Sequence, residues 1–84
     1  MDRELLQERY PELLVMTEKQ YDKAIIGVVT RIGCEAVCYD EDIVRSILME
    51  DDDMTEDEAQ EYIDFNMKGA WVGEYTPFFL DKGV

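Results

Sequence analysis

The sequence predicts an α+β fold in which four short helices pack on a small two-stranded sheet, in the order α-α-β-α-α-β. Three observations carry that expectation. Two segments open with the reciprocal Thr-x-x-Gln/Glu pattern of a helix N-terminus and continue with apolar residues at helical spacing. Two runs, Ala36-Val37-Cys38-Tyr39 and Pro77-Phe78-Phe79-Leu80, are too short for helices and contain strand formers. The chain has 84 residues, 46% of them hydrophobic, enough for one domain (1–84) with a thin core.

The elements follow in order. Residues 2–9 read as a short helix, which Pro11 interrupts or restarts, because proline fits only a first helical turn. Thr17-Glu18-Lys19-Gln20 fits a capping box. Tyr21, Ala24, Ile25, Val28, Val29 and Ile32 then form one helical stripe, and Gly33 stands where a C-terminal cap would. A rival reading makes residues 24–30 a buried strand, since four of them are β-branched aliphatics. Ile26 on the outer face and Gly27 inside the helix favour that rival; the completeness of the stripe favours the helix, which is the preferred expectation.

Residues 36–39 predict a strand, and Asp40 starts the next helix with Glu41 and Asp42 in its first turn. Ile43, Val44, Ile47 and Leu48 would be its buried face. Glu50-Asp51-Asp52-Asp53 ends it, because consecutive acids repel and oppose the C-terminal dipole. Thr55 and Glu58 form a second capping box, followed by Ala59, Tyr62, Ile63, Asn66 and Met67 on one face up to Gly69. Residues 70–76 read as a loop, and residues 77–80 as an edge strand with proline first.

The net charge of −13 is uneven. Residues 35–64 hold thirteen acids and one base, Arg45, whereas residues 1–34 carry −1 and residues 65–84 carry 0. That excludes direct binding to a nucleic-acid backbone and disfavours an anionic membrane surface. The sign favours a basic protein surface, for which electrostatics raise the encounter rate. No apolar run approaches the roughly 20 residues of a membrane span, and the N-terminus lacks signal-peptide order, so a cytoplasmic location is expected.

Asp57, Glu61 and Asp64 share one side of the predicted 56–68 helix. With Asp51, Asp52 and Asp53 they form a row of carboxylates able to stand in for phosphates in a DNA-binding groove, or else a plain solvated face. Trp71, Glu74 and Tyr75 lie in a glycine-containing loop; the two aromatics would anchor a partner, or Trp71 would instead close the core. Asn66 would hydrogen-bond the backbone of that loop.

Metal and enzyme chemistry are poorly represented. Read as an EF-hand loop from Asp51, the sixth position is Glu56 and the twelfth Tyr62, where glycine and a bidentate glutamate are needed. Cys34 and Cys38 supply two thiols and the chain has no histidine, too few ligands for structural zinc, so both read as small core residues. There is no phosphate-binding glycine loop and no nucleophile elbow. No metal, cofactor or catalytic residue is expected.

Met54-Thr55-Glu56-Asp57-Glu58-Ala59, Glu61-Tyr62, Phe65-Asn66, Gly69-Ala70-Trp71-Val72-Gly73-Glu74 and Thr76-Pro77, with Tyr21-Asp22 and Ala24-Ile25-Ile26-Gly27-Val28 upstream, resemble a group of small uncharacterised proteins encoded by phages and prophages. The resemblance covers residues 21–80. It implies a bacterial host cell, a single-domain α/β fold and no assigned catalytic residues. The Asp51-Asp52-Asp53 run is more acidic than that group leads one to expect. The combined expectation is a small acidic phage-type interaction protein, a DNA mimic or anti-defence inhibitor, that binds a basic, nucleic-acid-binding host protein. The alternatives are a self-assembling homodimer and a non-catalytic small-ligand or metal binder.

Overall fold

The computed structural model describes residues 2–83, and these form an α+β fold around one three-stranded mixed sheet. Helix α1 spans Arg3–Arg9, with the Asp2 carboxylate accepting from the Glu4 amide at its N-cap. A 3₁₀ helix covers Lys19–Ala24. Strands β1 (Ile25–Arg31) and β2 (Cys34–Asp40) pair as an antiparallel hairpin. Helices α2 (Glu41–Asp51) and α3 (Glu56–Tyr62) follow, and α3 runs into a π turn, Ile63–Met67. Strand β3 (Phe78–Leu80) returns parallel to β2 and takes the other edge, giving the order β1-β2-β3.

The helix expected over residues 21–32 is not formed. Tyr21, Ala24 and Ile25 are buried as the stripe requires, but Val29 and Ile32 are exposed. Strand pairing overrides helical spacing: the four β-branched residues suit the pleat, and Gly27 would weaken a helix interior. Thr17 and Gln20 make no capping box; Glu18 occupies the N-cap and provides no side-chain bond. Gly33 serves the hairpin. It sits at φ +78° in the two-residue connection Ile32-Gly33, where the chain needs a left-handed residue. Ile26 is the extra residue of a bulge between the Ile25–Tyr39 and Gly27–Cys38 pairs.

Three further expectations are corrected. The sheet has three strands, because the stretch expected as a helix supplies one. Ile43 is partly exposed, leaving Val44, Ile47 and Leu48 as the buried face of α2. Trp71 is 77% exposed and does not close the core, which Tyr39, Leu48, Ile63, Val37 and Val44 fill without it. The N-terminal segment is tied down by polar contacts. Arg3 grips the Asp22 carboxylate and donates to the Met16 carbonyl, while the Met16 amide donates to the buried Tyr39 hydroxyl at 2.8 Å.

Candidate functional site: an acidic corner beside an aromatic groove

The acidic corner is where α2 ends and α3 begins. Asp52 caps α2, and Asp53 takes a left-handed conformation (φ +58°) that returns the Met54 amide to the Leu48 carbonyl. Thr55 and Glu58 then close the capping box, at 2.9 and 3.2 Å. The turn leaves Glu50, Asp51, Asp52, Asp53, Glu56, Asp57, Glu58 and Glu61 all exposed. Among the described residues, no base lies within ion-pair distance of any of these eight carboxylates. The three acids in the first turn of α3 suit its dipole, whereas those at the end of α2 oppose it.

Four of the eight bases are committed elsewhere. Arg3 pairs with Asp22, and Lys82 reaches Asp40 at 2.8 Å. Arg45 and Lys68 converge on Glu41, which is only 3% exposed. Lys68 Nζ lies 2.7 Å from Glu41 Oε1 in a close ion pair and is the main partner of this buried oxygen. Gln60 bridges this joint: its amide donates to Glu41 and to Asp64, each at 3.1 Å, and its oxygen accepts from Arg45. Asp64 also lies 3.7 Å from Lys68. Asp64 therefore belongs to the joint between α2 and α3, unlike Asp57 and Glu61, which have no ion-pair partner among the described residues.

The charges shift as this geometry requires. The Glu41 carboxylate raises the Lys68 ammonium above its ordinary pKa, against the opposing effect of burial. The Lys82 ammonium holds Asp40 below the usual carboxylate range, helped by the Asp42 and Ile43 amides that Asp40 accepts from as the α2 N-cap.

Beyond the joint, the π turn closes with the Lys68 amide on the Ile63 carbonyl at 2.8 Å and leaves Phe65 75% exposed. Gly69 suits the next position, since a Cβ there would sit a tight 3.0 Å from the Phe65 carbonyl oxygen. The next loop is pinned by Thr76, whose hydroxyl accepts from the Val72 amide and donates to the Gly73 carbonyl. This holds Trp71 and Val72 outward. Tyr75 turns the other way, half-buried against the core in a cleft with Tyr10, Glu12 and Glu35. The neighbouring Glu74 charge raises its hydroxyl pKa. Glu74 is exposed, and so is Asn66, which corrects the expectation that Asn66 braces the loop from a buried position.

Between the π turn and this loop runs a groove of about 230 Å³, lined by Met16, Tyr21, Tyr62, Met67, Val72 and Phe79 among others. A second depression, of about 290 Å³, lies between Met54, Glu58, Glu61 and Phe65. Tyr62 and Asn66 line both, so the two depressions adjoin across these side chains and together make up a trough. Phe65, Tyr62 and the trough were missed by sequence reasoning. Phe65 lies off the expected apolar face, and the available signal was a large aromatic at a position the helical stripe does not use.

Comparison of the chain with protein-family models, with curated proteins and with solved structures finds no match. Among the described residues no three histidine, cysteine, aspartate or glutamate side chains gather where they could hold a metal ion. No helix among them is long and apolar enough to cross a membrane. Cys38 is buried, which pushes its thiol pKa up and disfavours the thiolate; Cys34 is half-buried.

Proposed function

We propose that this chain is a small acidic interaction protein of phage or prophage type, acting in the cytoplasm of a bacterial host. It binds the basic surface of a nucleic-acid-binding host protein and blocks it, without catalysis or a cofactor. The observation that carries the reading is the corner of eight exposed carboxylates with no base beside them among the described residues. Such a field attracts a cationic surface and raises association rates by about 10–10³-fold at low salt. Asp51, Asp52, Asp53, Asp57 and Glu61 supply it; Glu74 and Trp71, exposed on the 70–76 loop, add a further charge and an aromatic anchor for the partner. Asp64 and Tyr75 contribute by shaping the joint and the loop.

The test is a pull-down from host lysate eluted by a salt gradient, repeated with Asp51→Lys, Asp57→Lys and Glu61→Lys combined. A nucleic-acid-binding protein released as salt rises, and lost with the triple variant, is the expected result. Undiminished capture by the triple variant would overturn the mechanism. Asp64 is left out because its reversal would break the α2–α3 joint and confuse folding with binding.

One observation favours a second reading, a homodimer. The sheet edge β3 has three residues, and Phe78 and Leu80 on it are partly exposed, beside Val29 on the same face. Sedimentation separates the two: a dimer that persists or tightens at high salt supports self-assembly, and a monomer at high micromolar concentration dismisses it.

A further inference from the structure

We infer that the trough is the seat of the bound partner's apolar side chains, and that its occupant is a cationic amphipathic polypeptide segment. This rests on the reading of the acidic corner as a binding surface and adds the recognition that charge alone lacks. The floor carries deformable apolar side chains, with Thr17, Asn66 and Thr76 as its uncharged polar lining. Met16 and Met67 line one end and Met54 the other, with Tyr62 between them. Methionine side chains adapt to varied apolar ridges, which suits a surface that receives a segment rather than one fixed shape.

The rim decides the occupant. Glu18 borders one end, and Glu58 and Glu61 border the other. No lysine or arginine lines either depression. An apolar segment flanked by lysines or arginines would bury its stripe on the floor and leave its charges facing these glutamates. A second copy of this chain would bring further acids to the same rim, and an acidic segment would be repelled.

The π turn supplies the local cause. Such turns are rare and frequently found at functional sites. Here the turn presents Phe65 to solvent at the trough's open end, and the Lys68–Glu41 contact anchors its far side to α2. Phe65 is thus an exposed aromatic whose position is fixed by the fold, the kind of residue that dominates binding when a partner covers it.

The probe is a synthetic lysine–leucine peptide of about 18 residues, long enough for about five helical turns, with leucines at helical i, i+3, i+4 spacing. A scrambled isomer of equal charge has no stripe, and a glutamate–leucine peptide keeps the stripe with reversed charge. Binding is read by titration, and by methyl NMR of the protein labelled at methionine. The striped cationic peptide is expected to bind at least about tenfold tighter than its scrambled isomer. It should shift the Met16, Met54 and Met67 methyls while leaving Met49, which lies on α2 outside the trough. Phe65→Ser and Tyr62→Ser, both at exposed positions, should erase most of that difference.

Equal binding of both cationic peptides with the three trough methyls unmoved would overturn the trough and leave the acidic-corner reading standing. Equal binding of the glutamate–leucine peptide would overturn the cationic occupant. Failure of every cationic peptide to bind would overturn both readings.

Discussion

Replacing Lys68 with methionine tests the joint that positions the candidate surface. Glu41 is almost fully buried, and Lys68 is its nearest cation. Removing one partner of a buried ion pair costs about 3–5 kcal/mol when the remaining charge is left uncompensated. Here the cost is smaller on three counts. The Lys68 side chain is 36% exposed, Arg45 remains 3.9 Å from Glu41, and the Gln60 amide still donates to it. We expect a loss of about 1–2 kcal/mol, discounted for solvent screening. For a chain of this size that lowers Tm by about 6–11 °C. The assay is urea denaturation of Lys68→Met, Glu41→Gln and the double variant. The double variant should recover about 1 kcal/mol relative to the sum of the single losses, because neither charge is then stranded. The pH dependence has a definite sign. Lys68 is raised above 10.5 in the folded state, so its contribution is fully present below that value and is lost as pH rises through the folded pKa. The gap between wild type and Lys68→Met should therefore hold constant through neutrality and narrow above about pH 10.5. A coupling below about 0.3 kcal/mol would show that the contact does not hold α3 to α2.

Two other sites give sharp expectations. Tyr39→Phe removes the acceptor of the Met16 amide while keeping the ring stacked on Phe79, so the loss should be about 1 kcal/mol in urea with an unchanged m-value; no change would mean that water replaces the hydroxyl. Asp40 is depressed by Lys82, so the stability it contributes is present above its unfolded value near 4 and is lost as pH falls through the lower folded value; Lys82→Ala should flatten acid unfolding below about pH 4, and an identical acid limb would refute the pair.

The fold was legible wherever a local rule and the tertiary environment agreed. Asp40 and Thr55 cap helices in the structure as their sequence contexts require, because an N-cap bond spans three residues and needs nothing distant. Val44, Ile47 and Leu48 are buried as their spacing predicts. Residues 24–32 were misread because the helical stripe puts Ile25 and Val28 on one face, whereas a strand reaches that only through a bulge, which Ile26 supplies here. What decides between them is pairing with residues 34–40, a non-local fact. The trough was illegible for the same reason: it joins Met16, Tyr62 and Val72, which no sequence window contains together. Of the candidate site residues, the sequence placed Asp51, Asp52, Asp53, Asp57 and Glu61 on a solvent-facing run correctly. It could not separate Asp64 from them, because that depends on Lys68 and Gln60 folding back onto Glu41.

The acidic corner breaks local rules that the rest of the chain obeys, and that contrast gives its own test. Four consecutive acids oppose the dipole at the end of α2, and Asp53 holds a left-handed conformation that glycine would adopt more cheaply. Each like-charge neighbour on a helix costs a few tenths of a kcal/mol at low salt, and the left-handed residue adds about 1 kcal/mol. Asp51→Asn with Asp52→Asn and Asp53→Gly should therefore stabilise the free protein by about 1–2 kcal/mol at low ionic strength, with the margin shrinking in concentrated salt as screening relieves the same repulsion in the wild type. Features that cost stability without an evident structural return are expected at functional sites. The same triple variant should bind a cationic peptide more weakly, so stability and affinity move in opposite directions. If the variant were destabilised, the acids would be holding the turn together, and the argument that they are kept for a partner would lose its ground. If it were stabilised with affinity unchanged, the repulsion would be real but the binding surface would lie elsewhere, among Asp57, Glu61 and the aromatic trough.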